Sequence, residues 1–225
     1  MLPTPLILTV DTTSEQFGVA LSRGGAMLDC RIGKSSRTLD VDLFAHVRSL
    51  LDRNGLSLAD VEGLAACVGP GSFVGTRIGL CAVNTFSIVR DIRAIGVGVL
   101  PALATLAPDN GEGKEILAAV NCVRNEYFFQ TFAGGIAPRP LGPIAVARSS
   151  ELEEIADGRI VVARSFAMNF NRTGQKADPP PGIEPEYKDQ LRAIVALAAG
   201  RWETGGDSDG TLPAPIYVKS EVARS

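Results

Sequence analysis

Residues 69–79 read Gly69-Pro70-Gly71-Ser72-Phe73-Val74-Gly75-Thr76-Arg77-Ile78-Gly79, between a short apolar run, Gly63 to Val68, and a helical pattern that ends near Arg90. A strand running through a glycine turn into a helix is an α/β device. Gly69, Gly71 and Gly75 let backbone N–H groups approach an anion, Ser72 and Thr76 offer hydroxyls, and a helix amino terminus follows. These features favour a phosphate or a carboxylate. No lysine follows the last glycine, so the segment is not a Walker A loop. Its spacing, G-x-G-x-x-x-G, is not the dinucleotide fingerprint. Pro70 stands two residues before Ser72, so Ser72 is not in a nucleophile elbow. A tight strand-to-helix turn that binds nothing remains equally open.

Upstream, Leu6 to Val10 reads as a strand ending at Asp11-Thr12-Thr13-Ser14-Glu15. Asp11, Thr12, Thr13 and Ser14 have the groups to hold phosphate or Mg²⁺, but read alone the segment favours an ordinary turn. Phe17 to Leu21 and Ala26 to Ile32 complete a three-strand meander across the turn Arg23-Gly24-Gly25. The period then changes: Leu43, Phe44, Val47, Leu50 and Leu51 mark one face of a helix stopping near Asn54-Gly55. Ser57 caps a short helix.

In the second helix Ile78, Cys81, Ala82, Val83, Phe86, Ile88 and Val89 spread over roughly 220° of circumference, whereas a helix covering one core needs ~100–140°. The excess demands either burial on two sides within the chain or a docked partner. Partner-facing candidates are Leu43, Val47 and Leu50 on the first helix, with Arg77, Leu80, Cys81, Val83, Phe86 and Ile88 on the second. The pattern leaves open whether Leu80 and Ile88 or Val83 and Phe86 form the outer edge.

Downstream of Gly79 the readings are a strand at Ala94 to Val97, a helix at Leu100 to Leu106 and a breaker-rich linker at Pro108 to Gly113. Strands follow at Ile116 to Cys122, Tyr127 to Phe132, Ile144 to Ala147 and Arg159 to Ala163, with a short helix at Ser150 to Ala156. Asn171 to Glu186, with Pro179-Pro180-Pro181, reads as an extended loop. A helix at Lys188 to Trp202 and a terminal strand at Ile216 to Lys219 close the chain. The expected division is an amino-terminal lobe, 1–107, and a smaller carboxy-terminal lobe, 108–225.

Composition excludes several classes. With 225 residues, 45% of them hydrophobic, the chain can bury a core. No apolar run approaches the length of a membrane span and the start lacks a signal peptide, which makes the cytoplasm the default. Cys30, Cys67, Cys81 and Cys122 form no C-x-x-C pair and read as small buried hydrophobes. His46 is the one histidine, too few for a multi-imidazole metal site. At net charge −3, without a cluster of Lys and Arg, the chain lacks the basic stripe of a phosphate-reading RNA binder.

These segments together resemble the TsaB family: Ile7-Leu8-Thr9-Val10-Asp11-Thr12-Thr13, Phe17-Gly18-Val19-Ala20-Leu21, the glycine segment, and the tail Pro215-Ile216-Tyr217-Val218-Lys219-Ser220-Glu221-Val222-Ala223. The strand pair around Val120 to Tyr127 sits where that family opens its second lobe. Thr is common in the family where Val74 stands and an aliphatic residue where Thr76 stands. A His-Ser pair common before the first helix is absent near Thr38-Leu39-Asp40.

The resemblance implies the two-lobed actin/Hsp70/sugar-kinase (ASKHA) fold. It implies a non-catalytic partner subunit of the machinery that installs threonylcarbamoyl on adenosine 37 of tRNA. The chain would pair with a metal-carrying TsaD-like catalytic subunit through its two amino-terminal helices, about Leu39 to Arg53 and Val74 to Arg90, with a TsaE-like ATPase joining them. It would reach tRNA through the complex, carry no cofactor or metal of its own, leave ATP or ADP to the subunit interface, and form a homodimer when alone. The competing class is an autonomous small-molecule kinase of the same superfamily, against which the short second lobe argues. One histidine and no nucleophile elbow argue against a peptidase.

Overall fold

In the computed structural model, which describes residues 4–121, 126–164, 182–205 and 210–218, strand β1 (Ile7–Asp11) lies at the centre of a five-stranded sheet with all its residues buried. β2 (Gln16–Arg23) pairs antiparallel with β1, and β3 (Ala26–Lys34) antiparallel with β2. β4 (Gly63–Gly69) and β5 (Ala94–Gly98) add parallel strands on the other side, giving the order β3-β2-β1-β4-β5. β1 and β4 are covered on both faces, which is why they read as near-continuous apolar runs, interrupted in β1 by buried Thr9 and ended by Asp11.

Side chains alternate across a strand, and the two faces receive different helices. Leu8, Val10, Val19, Leu21, Leu64 and Ala66 pack with Leu43, Val47 and Leu50 of α1 (Leu39–Arg53) and Leu80 and Val83 of α2 (Phe73–Arg90). The opposite face, carrying Ala20, meets Leu191 and Val195 of the last helix, Tyr187–Glu203, which is α5 in chain order. Gly18 and Gly63 mark its closest approaches: a Cβ at Gly18 would strike Leu191, and one at Gly63 would strike the Trp202 ring. Ser57 caps a short 3-10 turn, Leu58–Asp60, reciprocally with Asp60.

The second unit, from Leu100, holds all but the first residue of α3 (Val99–Ala104), then β6 (Glu115–Asn121), β7 (Glu126–Ala133), the two-residue β8 (Arg139–Pro140), β9 (Ala145–Arg148), α4 (Ser149–Ile155) and β10 (Ile160–Arg164). Its sheet order is β10-β6-β7-β8, with β9 also pairing β7. Leu117, Ala119, Tyr127 and Leu152 lie in its core.

The compact units are Met1–Val99 with Tyr187–Pro215, and Leu100–Glu186 with Ile216–Ser225. They differ from a division at residue 107 because α5 returns across the sequence to cover the first sheet. Residues 216–218 are not a strand, against the expected strand from Ile216. Cys122, most of the Asn171–Glu186 loop with its three prolines, and the tail from Lys219 lie outside the described residues. No helix among the described residues is long and apolar enough to cross a membrane.

Candidate functional site

Asp11, at the end of β1, is fully buried. Its Oδ1 accepts the backbone N–H of Thr13 at 3.0 Å and the Thr13 hydroxyl at 2.7 Å. Its Oδ2 accepts the Tyr187 hydroxyl at 3.1 Å and Nε2 of Gln190 at 2.9 Å, both from α5. Four donors fill the acceptor positions of a carboxylate and offset the cost of burying it. Beside it the Thr13 hydroxyl lies 3.8 Å from Cys67 Sγ. Burial, and next the Asp11 charge, push the Cys67 thiol well above its ordinary 9.0.

The glycine segment closes on this loop. Ser72 N–H donates to the Thr13 carbonyl at 2.7 Å, and the Thr12 hydroxyl donates to the Gly75 carbonyl at 2.7 Å. A Cβ at Gly71 would collide with the Thr13 carbonyl, one at Gly75 with the Thr12 carbonyl and one at Gly79 with the Thr12 hydroxyl. Ser72 caps α2 by accepting Gly75 N–H at 3.2 Å, and the Thr76 hydroxyl donates back to the Ser72 carbonyl at 2.7 Å. Ser14 donates to the Gln16 carbonyl. Gly69 ends β4 at φ +91°, a conformation that favours glycine. The nine residues expected to hold an anion are therefore brought together, but those hydroxyls, the Asp11 carboxylate and the Ser72 and Gly75 amides bond one another or the adjoining chain. The close approach of the Thr12–Thr13 loop to the glycine turn and the first turns of α2 accounts for glycine at 71, 75 and 79.

The partner-facing candidates need correction. Leu43, Val47, Leu50, Leu80 and Val83 are buried in the core between α1, α2 and the sheet, so none forms an outer surface of this unit. Arg77 and Cys81 are exposed, Phe86 is half-buried and Ile88 is 68% exposed. Neither expected edge pair holds together: Leu80 turns in while Ile88 turns out. Exposed Cys81 also departs from the reading of all four cysteines as core residues, whereas Cys67 is buried and Cys30 half-buried.

The outward row of α2 is instead Phe73, Arg77, Cys81, Thr85 and Ile88, flanked by Val74 and Val89, both well exposed. Steps of four, four, four and three keep the row on one face. Arg77 lies over the Phe73 ring, 3.8 Å from its centroid. Val41 and Phe44 of α1 are exposed as well, and Phe44 meets Phe86 of α2. Sequence reading missed Val41, Phe44, Phe73, Val74 and Val89 as surface residues. The signal was the apolar excess left once the inward positions 76, 79, 80, 83 and 87 are subtracted. His46 does no such work: its Nδ1 lies 2.8 Å from the Asp42 carbonyl and its ring meets Phe17 edge-on at 4.7 Å.

Residues 34–130 match the family model of TsaD, tRNA N6-adenosine threonylcarbamoyltransferase. The chain is similar to the tRNA threonylcarbamoyladenosine biosynthesis protein TsaB of Escherichia coli K12, at 29% identity over 126 residues, 56% of this chain and 54% of that protein. It is similar to TsaB of Haemophilus influenzae, at 29% over 123 residues, 55% and 52% of the two chains. With TsaB of Bacillus subtilis 168 it shares 31% over 98 residues, 44% and 43%. The matches thus span about half the length of these curated relatives. In structure the chain is similar to YeaZ from Pseudomonas aeruginosa, with TM-score 0.71 and 23% identity, over 95% of this chain and 100% of that one. That likeness, with the 3-2-1-4-5 strand order, identifies the actin/Hsp70/sugar-kinase-like fold.

Proposed function

We propose that this chain, a member of the TsaB family, is the non-catalytic partner subunit in tRNA threonylcarbamoyladenosine biosynthesis. It docks onto a TsaD-type catalytic subunit in the cytoplasm, and a TsaE-type ATPase joins the pair. The observation that carries this reading is the set of exposed apolar side chains on α2, Phe73, Val74, Ile88 and Val89, with Val41 and Phe44 exposed on the neighbouring α1. Large apolar side chains exposed together on neighbouring helices are what a protein partner covers. Paired helices from two subunits would make a four-helix contact there. When the chain is alone, the same face takes a second copy.

The family model spanning residues 34–130 bears the name of a transferase. One histidine cannot supply the paired imidazoles that the family resemblance gives to the catalytic sister, which supports the partner role. An autonomous kinase needs its phosphate loop free, and here the Asp11 carboxylate is bonded by Thr13, Tyr187 and Gln190. Any ATP or ADP of the assembly belongs to the surface shared by the subunits. tRNA is reached through the complex, since net charge −3 gives this chain little attraction for phosphates.

The test is reconstitution. The chain is mixed with the TsaD-type subunit of the same organism, and complex formation and threonylcarbamoyl transfer are measured for each subunit alone and for the mixture. A stoichiometric complex, with transfer that needs both subunits, is the expected result. Transfer by the isolated chain, or failure of the two to associate, would sink the reading.

A further inference from the structure

The two oxygens of the Asp11 carboxylate serve opposite faces of one sheet. Oδ1 holds Thr13, whose loop is clasped against the first turns of α2 through Ser72 N–H and the Gly75 carbonyl. Oδ2 holds Tyr187 and Gln190 at the start of α5, on the other face. The path from α5 to α2 is thus one carboxylate and one two-residue loop, buried throughout. Glycines at 71, 75 and 79 leave the loop no clearance against the helix, so a shift of Thr12 or Thr13 must displace α2 or break these bonds. Phe73, Val74 and Arg77, on the outward row, stand in those same first turns.

We propose that Tyr187 and Gln190 are positioning residues for the partner surface. By fixing Asp11 from the far side of the sheet, they set where the outward face of α2 stands, and so tune partner binding without touching the partner. This rests on the partner-subunit reading above. A purely structural role for α5 would make any buried α5 substitution act through stability alone. Coupling through Asp11 instead singles out the two residues that donate to it.

The experiment compares Tyr187→Phe and Gln190→Leu with Val195→Ala, a buried α5 position in the cluster with Ala20 and Leu191 that stands eight and five residues beyond the two Asp11 donors. Thermal midpoints, amide hydrogen exchange over residues 73–81, and affinity for the TsaD-type subunit are measured for each. The expected result is faster exchange at 73–81 in both donor variants and an affinity loss of about three- to tenfold. Val195→Ala should lower the midpoint with neither effect. Tyr187→Phe keeps the ring in place and so remains informative if Gln190→Leu folds poorly. Unchanged exchange in Tyr187→Phe, or equal changes in Val195→Ala, would overturn the proposal. Val74→Glu separates the two ideas. If it leaves binding intact, the partner surface is misplaced and hydrogen exchange alone judges the coupling. If it abolishes binding while Tyr187→Phe has no effect, the coupling alone fails.

Discussion

The rings of Phe44 on α1 and Phe86 on α2 meet edge to face, their centroids 5.8 Å apart and their planes at 87°. Phe86 packs against the core while Phe44 is about half exposed, so this pair marks where the core gives way to the outward surface. Glutamates on the two sides of that boundary should separate cleanly. Leu80→Glu and Val83→Glu bury an unpaired charge and should lose the fold, since an uncompensated ion costs several kcal/mol. Val74→Glu and Ile88→Glu should melt as the wild type does and fail to bind the TsaD-type subunit. Thermal melts with size-exclusion chromatography of the mixtures read both effects. Wild-type binding by a folded Ile88→Glu would move the interface elsewhere.

Thiol chemistry gives an independent view of the same face. Cys81 sits in the exposed row, whereas Cys67 is buried with its thiol pushed up, so little thiolate forms there near neutral pH. A maleimide at pH 7 should modify Cys81 rapidly and Cys67 on unfolding, with half-buried Cys30 between them. Bound partner should slow Cys81 and leave Cys30 unchanged. Peptide mapping of the labelled protein assigns each site. A Cys81 rate indifferent to the partner would count against its place at the contact.

Strands and helices were legible because local patterns encode them: β1 as an apolar run, α1 by its 3.6 period. Two features were not local. The glycines at 71, 75 and 79 suit an anion cradle and a close-packed joint alike, because both need the Cβ removed. Their neighbour, the Thr12–Thr13 loop, lies some sixty residues upstream, so the choice depends on a non-local contact. The apolar width of α2 announced a surplus face correctly, yet periodicity carries no label for inward and outward, and five candidates proved to be core. The return of α5 to the first sheet was likewise beyond a reading in chain order.

Asp29 on β3 binds Arg53 at the end of α1 through its guanidinium and accepts Asn54 Nδ2 at 2.9 Å. The Arg53 hydrogen bond is the main reason its carboxyl is held below the ordinary 3.8. A depressed folded value means that stability is fully present above the unfolded value and is lost as pH falls through the folded one. Asp29→Asn should therefore lower the thermal midpoint modestly near pH 7, and the gap to wild type should close below about pH 4. Half-exposed Arg53 keeps the effect small. A gap that persists unchanged into acid would assign it to packing.

The glycine joint makes a prediction whose sign decides between its two readings. In an open helix interior, replacing glycine by alanine stabilises by about 1 kcal/mol. Gly79 lies inside α2, yet its added Cβ would strike the Thr12 hydroxyl that donates to the Gly75 carbonyl. Gly79→Ala should therefore destabilise, through loss of that hydrogen bond and overpacking, each about 1 kcal/mol or more. Gly75→Ala should cost more, because its Cβ meets the Thr12 backbone carbonyl, which cannot rotate away. Removing the obstruction should reverse the first effect. In a double-mutant cycle Thr12→Ala with Gly79→Ala should be markedly less destabilised than the sum of the singles, measured by urea melts. A cradle for a free anion predicts something else: additive costs, and a midpoint raised by phosphate or MgATP in the wild type and not in Gly75→Ala. Additivity together with that ligand shift would return the glycine segment to ligand binding, and would remove the joint between the Asp11 loop and α2.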